Sequence, residues 1–237
     1  MHTHILAIGG GGYCGPNGGP SPIMRYFLAL TRKKFPKICF IPTAAADSPE
    51  SIHTFIHAMN GMGAHPNYLQ LYHLPTTDLE SFVMDFDAVY VSGGHTKNML
   101  ALWREWGLDR ILVNAWQKGV VVGGASAGAI CWFKQGCTDS ITDAFDPLLN
   151  GLGMVKGSFG PHYGHPRGRW RTAYMDMVRT GQLAGGYGVT DRAALHYIDG
   201  KLAHLIAESA DAAVYRLKRE KNGKVSEHPE KLELLGP

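Results

Sequence analysis

The sequence predicts an α/β fold built on a mostly parallel sheet, with antiparallel strands toward the C-terminus. Apolar runs of strand length alternate with segments of helix length through the first half of the chain, a rhythm that calls for a parallel sheet with helices on both faces. Val120–Val122 is a run of three valines, which is typical of a strand buried on both faces. Beyond Gly181 the spacing shortens to that of hairpins.

The elements of the first half follow in order. Two helix starts are marked by Ser21-Pro22 and Ser48-Pro49, which each place a capping hydroxyl before a proline at the first helical position. The predicted strands are His4–Gly9, Lys37–Pro42, Tyr68–Leu74 and Ala88–Ser92. The predicted helices are Pro22 to about Arg32, Pro49 to about Met62, Thr96–Trp106 and Asp109–Lys118. The valine strand follows, and then an apolar run at helical spacing from Ile130.

The C-terminal part is predicted to be antiparallel. Tyr187–Ile206 has the pattern of a hairpin that turns at Asp199-Gly200, and Ala213–Leu217 adds another strand. These strands are expected to extend one edge of the sheet. Because no low-complexity linker or internal repeat interrupts the chain, residues 1–237 are expected to form one domain.

Composition excludes several classes of protein. The chain has 237 residues, 45% apolar and 18% charged, with a net charge of +3, too small a charge to predict nucleic-acid binding. No apolar run reaches the ~18 residues of a membrane span, and the N-terminal residues lead into a strand without a signal sequence. Four cysteines without framework spacing indicate reduced thiols. A cytoplasmic protein that does not bind a membrane is therefore expected.

The segment Val120–Phe133 is the strongest candidate for chemistry. Its centre, Gly124-Ala-Ser126-Ala-Gly128, fits the nucleophile-elbow pattern Gly-x-Ser-x-Gly. A serine on such a strand-to-helix turn is exposed at the carboxyl end of the sheet, and the amide of the next residue, Ala127, is an oxyanion donor. The alternative is a tight turn that requires only small residues.

Two glycine-rich loops follow other strands. Gly10-x-Gly12-x-x-Gly15 formally matches a dinucleotide fingerprint, but the next helix begins late and the second strand ends in Pro42-Thr43 instead of an acid. A loop that faces the active site is the preferred interpretation of residues 9–19. The loop Ser92–Thr96 closes another strand, so its Gly93 and Gly94 amides could face Ser126; a plain turn is the alternative.

A nucleophilic serine needs a base, and the chain contains 12 histidines. His53 and His57 share a helix face without the cysteines or carboxylates of a metal site, so a solvated face is expected and no metal is predicted. The turn-rich segment 160–166 carries His162 and His165, followed by Arg167, Arg169 and Arg171. A loop histidine near guanidinium groups suits acyl transfer on an anionic substrate.

Four segments in this order resemble the peptidase E family of serine peptidases, the aspartyl dipeptidases related to cyanophycinases. They are Val91-Ser-Gly-Gly-His-Thr96, Gly123-Gly-Ala-Ser-Ala-Gly-Ala129, Gly160-Pro-His-Tyr163 and Gly188-Val-Thr-Asp191. The resemblance covers about the first 215 residues. It implies a flavodoxin-like three-layer sandwich, related to class I glutamine amidotransferases, and cofactor-free hydrolysis of small peptides with an N-terminal aspartate.

The resemblance also implies roles for individual residues. Ser126 corresponds to the nucleophile, His162 to the base and Asp191 to the acid. The oxyanion donors correspond to Gly94 and Ala127. Arg171 resembles the arginine that pairs with the aspartyl carboxylate of the substrate.

The sequence departs from the family pattern at two of these motifs. His95 stands where the best-known members have asparagine, and it is a candidate substrate contact. Asp191 stands where those members have glutamate, which keeps the carboxylate.

The acid of the triad has two candidates on local grounds. Asp143 lies in a Thr/Ser-rich loop, where solvated carboxylates are common, whereas Asp191 lies at the entrance to an apolar strand. Chain order does not decide, because unrelated folds reach one triad geometry in different orders. Asp191 is favoured and Asp143 is the alternative.

Two other functions remain open at this point. One is an esterase-type α/β hydrolase, which shares the elbow but normally places the acid before the histidine. The other is a non-catalytic amidotransferase-like module that retains the elbow as a turn. The expected partner is a small peptide, and a homodimer is one possible assembly.

Overall fold

A computed structural model describes residues 2–15, 19–141, 144–164 and 168–236, and these residues form two sheets and the helices that pack on them. The strands are β1 (His4–Ile8), β2 (Lys37–Ile41), β3 (His65–Tyr68), β4 (Ala88–Val91), β5 (Val121–Ala125), β6 (Phe133–Ile141), β7 (Ala144–Leu148), β8 (Val155–Gly160), β9 (Gly186–Val189), β10 (Ala193–Ile198), β11 (Lys201–Ala207), β12 (Val214–Arg219), β13 (Val225–Pro229) and β14 (Glu233–Leu234). The helices are α1 (Pro22–Ala29), α2 (Pro49–Gly61), α3 (Leu79–Met84), α4 (Thr96–Glu105), α5 (Leu108–Gln117), α6 (Ala127–Ile130) and α7 (Arg169–Thr180), with a 3-10 turn at Thr43–Ala45.

The first sheet has eight strands in the order β14-β11-β10-β1-β5-β4-β2-β3. The five neighbouring strands β1, β5, β4, β2 and β3 are parallel to one another. Strands β10 and β11 form the antiparallel extension beside β1. The predicted α/β fold with a mostly parallel sheet is confirmed. The strand order places the ends of β1, β5 and β4 side by side, which is where loops of a parallel sheet form a common crevice.

Helices cover both faces of the first sheet. Successive side chains of a strand point to opposite faces, so apolar residues at consecutive positions need a packing partner on each side. Leu6 and Ile8 of β1 pack in one core with α1 and α2, whereas Ile5 and Ala7 pack in the other with α4 and α5. The result is three layers, helix, sheet and helix. Ser21 and Ser48 cap α1 and α2 as predicted, and each is followed by proline at the first helical position.

The second sheet has six strands in the order β13-β12-β9-β8-β6-β7, and the sequence did not predict it. The expected helix from Ile130 is wrong, because α6 ends at Ile130, where that helix was expected to begin, and β6 begins at Phe133. Trp132 and Phe133 are fully buried, so their apolar pattern reflects packing and not a helix face. The strand near Ala213–Leu217 exists as β12, but it belongs to this second sheet and does not extend the first.

The third strand begins and ends earlier in the chain than the predicted Tyr68–Leu74. β3 ends at Tyr68, and residues 69–74 form a loop. Leu69 and Leu71 are buried in that loop, which produced the strand-like alternation. The Asp47 carboxylate accepts the N–H groups of Leu71 and Tyr72 at 2.7 and 2.9 Å, so these backbone donors are satisfied without a neighbouring strand.

No helix in the described ranges combines the length and apolar character needed to cross a membrane.

Candidate active site

Loops from both sheets meet around Ser126. The first sheet contributes the segments that follow β1, β4 and β5, which carry Gly9, Gly93 and Ser126, and the second sheet contributes the segments after β8 and β9. The segment after β8 carries His162, and the short link from β9 to β10 carries Asp191. The site therefore lies where the carboxyl ends of the parallel strands adjoin the second sheet.

Ser126 has the strained backbone that a nucleophile elbow requires. Its φ of 55° and ψ of −114° lie in a region that residues other than glycine rarely adopt. Its N–H donates to Ile8 O at 3.1 Å, and its carbonyl accepts the N–H groups of Ala129 and Ile130, both at 2.9 Å. Hydrogen bonds to β1 and to α6 thus hold the turn in place.

The glycines of the elbow are required by close approach. A Cβ at Gly124 would lie 2.5 Å from Val91 O, and one at Gly128 would lie 2.2 Å from the same atom. Both distances are shorter than real Cβ contacts, so the elbow packs directly on the backbone of β4.

Ser126, His162 and Asp191 form one hydrogen-bonded chain. His162 Nε2 lies 2.9 Å from Ser126 Oγ, and His162 Nδ1 lies 2.6 Å from Asp191 Oδ1. Asp191 accepts the Nδ1 proton in the tautomer that satisfies both contacts, which leaves the Nε2 lone pair to accept the serine hydroxyl. This is the geometry in which a histidine can take a proton from a serine.

The backbone of His162 is fixed as firmly as that of Ser126. It also has a positive φ, 51°, and its N–H donates to Gly9 O at 3.1 Å, while the next N–H, that of Tyr163, donates to Val189 O at 3.1 Å. Strain held by surrounding bonds is typical of functional sites.

Gly10 lies against the His162–Asp191 pair. A Cβ there would lie 2.1 Å from Asp191 Oδ1 and 2.5 Å from His162 Nδ1. The sequence drew attention to Gly10 only through an incomplete dinucleotide fingerprint. Its contacts show a different reason for a glycine, which is the close passage of backbone beside two polar side chains.

The loop after β4 packs beside the elbow. A Cβ at Gly93 would be in ordinary contact, 3.5 Å, with Ser126 Cβ. Gly94 has a φ of 135°, and a Cβ there would lie 2.1 Å from Ala44 O, so only glycine fits. Ala127 is the first residue of α6, where N–H groups have no partner within the helix. Gly93 thus contacts Ser126 from the loop after β4, and an oxyanion hole formed by Gly94 and Ala127 stays a prediction.

His95 caps a helix. Its Nδ1 accepts the Asn98 N–H at 3.2 Å at the start of α4, and its own N–H donates to Ala44 O at 2.7 Å. A substrate contact for His95 stays a prediction, since the same imidazole already closes the helix end.

Arg171 is bound to Glu227 of β13. Its Nε lies 3.1 Å from Glu227 Oε1 and its Nη2 contacts the other carboxylate oxygen. The guanidinium also lies 5.8 Å from the ring centre of Tyr163 and 5.4 Å from that of Tyr215. Glu227 raises the pKa of Arg171. None of the described contacts joins Arg171 to the Ser126–His162–Asp191 chain.

Tyr163 belongs to the same cluster. Its hydroxyl donates to the Glu227 carboxylate, and burial, reinforced by that carboxylate, raises the pKa of Tyr163. The cluster therefore ties the segment that bears His162 to α7 and β13.

Aromatic side chains that the sequence did not single out form a wall beside His162. The Trp170 ring lies 5.2 Å from the His162 ring, and Phe145 of β7 lies edge-on to Trp170 at 4.8 Å. The Arg169 guanidinium lies 5.5 Å from the Phe145 ring centre. Trp170 and Arg171 are consecutive on α7, so one faces His162 while the other faces β13.

Some candidates fall outside this description. Asp143, the alternative acid, and His165 and Arg167 lie outside the described residues. His53 and His57 stack on one face of α2 at 6.4 Å. Within the described ranges, no group of three or more His, Cys, Asp or Glu residues is arranged to hold a metal.

Comparisons with known proteins show the family and agree with the fold. Residues 5–205 match peptidase family S51. The chain is 43% identical over 234 residues to an uncharacterized peptidase of Bacillus subtilis, YgaJ, with 98% of this chain and 99% of that protein covered.

Two solved structures share the fold at 17% identity. A peptidase from an acI-B1 Actinobacterium superposes with a TM-score of 0.71, over 98% of this chain and 95% of that one. A putative peptidase E protein from Listeria monocytogenes superposes with a TM-score of 0.64, over 86% and 98%.

Proposed function

The chain belongs to peptidase family S51, and from this premise we propose that it is a serine peptidase whose triad is Ser126, His162 and Asp191. The observation that carries the proposal is the continuous chain of contacts from Ser126 Oγ through the imidazole to Asp191 Oδ1, at 2.9 and 2.6 Å. Membership of a peptidase family favours this proposal over an esterase or a non-catalytic module.

In the proposed reaction Ser126 Oγ attacks the carbonyl carbon of the peptide bond while His162 Nε2 takes the hydroxyl proton. The carbonyl oxygen becomes an oxyanion, stabilised by the amides of Gly94 and Ala127. Collapse of the intermediate breaks the C–N bond, and His162 returns its proton to the leaving amine. A water molecule, deprotonated by His162, then hydrolyses the acyl-serine.

Asp191 is the proposed acid. Its contact with His162 Nδ1 supports this role, because the acid of a triad fixes the imidazole tautomer and stabilises the imidazolium. Its side chain is 46% exposed and that of His162 is 24% exposed. The site is therefore open to solvent on the side of Asp191.

The proposed substrates are small peptides, and an N-terminal aspartate is a second, separable proposal. It rests on the resemblance of Arg171 to the family arginine. Because Glu227 already neutralises Arg171, a substrate carboxylate must share or replace that partner. A preference for aspartate thus requires Arg171 to share or exchange Glu227 for the substrate carboxylate, whereas the contacts of the proposed triad require no change of partner.

The test of the triad is hydrolysis of a panel of N-terminal dipeptides by the purified protein and by Ser126→Ala. Loss of a triad nucleophile typically costs about 10⁴ to 10⁶ in rate. We expect hydrolysis of dipeptides but not simple esters by the wild type, and a loss of this size in the variant. Unchanged turnover in Ser126→Ala would remove the serine mechanism.

The test of the aspartate preference is Arg171→Ala, measured on Asp-Leu and Ala-Leu. A charge-assisted pair should make the loss in kcat/KM about ten- to a hundredfold larger for Asp-Leu. Equal losses of kcat/KM on both substrates would mean that Arg171 only stabilises the cluster with Glu227 and does not bind the substrate. His95→Asn is the companion variant: a change in the Asp-Leu to Ala-Leu ratio would make His95 a substrate contact, and an unchanged ratio would leave it a helix cap.

A further inference from the structure

A buried carboxylate outside the proposed triad is bound to the link that carries Asp191. The Glu208 side chain, directly after β11, is 3% exposed. Its Oε1 accepts Arg192 Nη1 at 3.0 Å, and its Oε2 accepts the Ser21 hydroxyl at 2.5 Å and the Ile23 N–H at 3.2 Å. A charge removed from water to this extent needs several strong partners, and Glu208 has them on both oxygens.

The partners of Glu208 come from three separate parts of the chain. Ser21 and Ile23 begin α1. Arg192 immediately follows Asp191, and besides the side-chain contact its carbonyl accepts the Glu208 N–H at 3.0 Å. Arg192 N–H in turn donates to Gly10 O at 3.0 Å. One carboxylate thus holds together the start of α1, the end of β11 and the link between the two sheets.

That link is the support on which Asp191 reaches His162. It has only three residues between β9 of the second sheet and β10 of the first, and Arg192 adopts a φ of 63° within it. A positive φ at a bulky residue persists only where surrounding contacts fix it. On the other side, Gly10 lies against both Asp191 and His162. A shift of Arg192 therefore moves the carboxylate relative to the imidazole.

We propose that Arg192 and Glu208 are positioning residues that hold Asp191 beneath His162. The inference rests on the proposed triad and adds two residues that lie outside it. Their effect is through geometry, because a misplacement of about 1 Å can cost on the order of a hundredfold in rate.

Glu208→Gln is the sharpest variant. Glutamine keeps the size of the side chain but has one acceptor oxygen, so it can keep Ser21 and Ile23 only by turning its NH₂ group toward the Arg192 guanidinium. Two donors then face each other and the link to Arg192 is broken, while the buried charge disappears. Arg192→Ala is the second variant, and Arg192→Lys, which keeps a cation beside Glu208, is the conservative rescue.

The matched control is Arg216→Ala. It also removes an Arg–Glu pair, Arg216–Glu230 at 3.0 Å, but on β12 and away from the link. Circular dichroism checks that each variant is folded.

We expect Glu208→Gln and Arg192→Ala to lower kcat for a dipeptide by about ten- to a hundredfold, with KM within about twofold. Arg192→Lys should recover most of the rate, and Arg216→Ala should match the wild type. In an Asp191→Asn background, neither variant should reduce kcat further, because the carboxylate they position is gone. An unchanged kcat, or an equal loss with and without Asp191, would overturn the positioning role.

A second readout does not need turnover. The His162 Nδ1 proton, hydrogen-bonded to Asp191, should give a downfield NMR signal in the wild type that weakens or moves upfield in Glu208→Gln. If the wild-type protein hydrolyses no peptide, the proposed function fails while this signal still decides the positioning role. A downfield signal identical in wild type and Glu208→Gln would contradict the inference on its own.

Discussion

The two sheets make different contributions to the candidate site. The first sheet supplies Ser126 and the Gly93-Gly94 loop from the ends of neighbouring parallel strands, whereas the second sheet supplies His162 and one end of the link that bears Asp191. The proposed nucleophile thus depends on a local strand-to-helix turn. The proposed base and acid depend on how the second sheet docks on the first, so the proposed activation of Ser126 requires contacts between the sheets as well as the elbow.

The largest effect should come from the acid at the junction of the sheets. We expect Asp191→Asn to lower kcat by about 10⁴ with KM nearly unchanged, because asparagine favours the wrong imidazole tautomer. Asp143→Asn, at the alternative candidate acid, should keep near-normal turnover. Steady-state kinetics of the two variants, with circular dichroism as a check of folding, make the comparison. A collapse of kcat in the Asp143 variant, together with normal turnover in the Asp191 variant, would make Asp143 the acid.

An intermediate effect is expected where the first sheet touches the pair from the second. Gly10→Ala would place a Cβ 2.1 Å from Asp191 Oδ1, and the two contacted side chains must move to accept it. We expect kcat to fall about a hundredfold in a folded protein. Gly12→Ala is the matched control, since its nearest contact would be 3.9 Å away. Equal activity of the two variants would show that the His162–Asp191 pair tolerates displacement.

The first sheet was more predictable from the sequence than the second. Four parallel strands of the first sheet, β1, β2, β4 and β5, are largely buried and form short apolar runs, and Ser126 lies in a local motif, so these were predictable. The exposed edge strand β3 has no such run, and it was predicted too late in the chain. The strands of the second sheet include half-exposed residues and glycines, and β6 follows the elbow where a helix was expected. Trp170 and Glu208 gave no local signal, because their importance arises only from packing between distant segments.

The resemblance to peptidase E compensated for part of that gap. It singled out His162 and Asp191, which the structure brings into contact, whereas local reasoning alone left His165 and Asp143 as alternatives. It could not show that Arg171 binds Glu227, because that pair joins α7 to β13, beyond the segments that carry the resemblance.

The smallest effect concerns a histidine away from the junction. Burial, with smaller contributions from His4 and His204, lowers the pKa of His196 to about 4. His4 Nδ1 and the Tyr26 hydroxyl contact its two ring nitrogens at 3.0 and 2.8 Å, and the His204 ring stacks on it. Between pH 6.5 and 4 the unfolded chain binds a proton that the folded protein does not, so folding stability falls as the pH falls through this range.

We expect His196→Gln to reduce the drop in Tm between pH 7 and pH 4.5 by about 2–4 °C, equivalent to roughly 1 kcal/mol. The same substitution at His57, exposed on α2, controls for the loss of an imidazole. If the His196 variant loses as much Tm as the wild type on acidification, the buried histidine does not contribute to the pH dependence.

The most direct test of the central claim is covalent labelling by a fluorophosphonate, followed by peptide mapping. If His162, held at the junction of the two sheets, activates Ser126, the wild type should carry a single adduct on Ser126, and His162→Ala should be labelled about 10² to 10⁴ times more slowly. An adduct on another serine, or equal labelling rates with and without His162, would contradict the account.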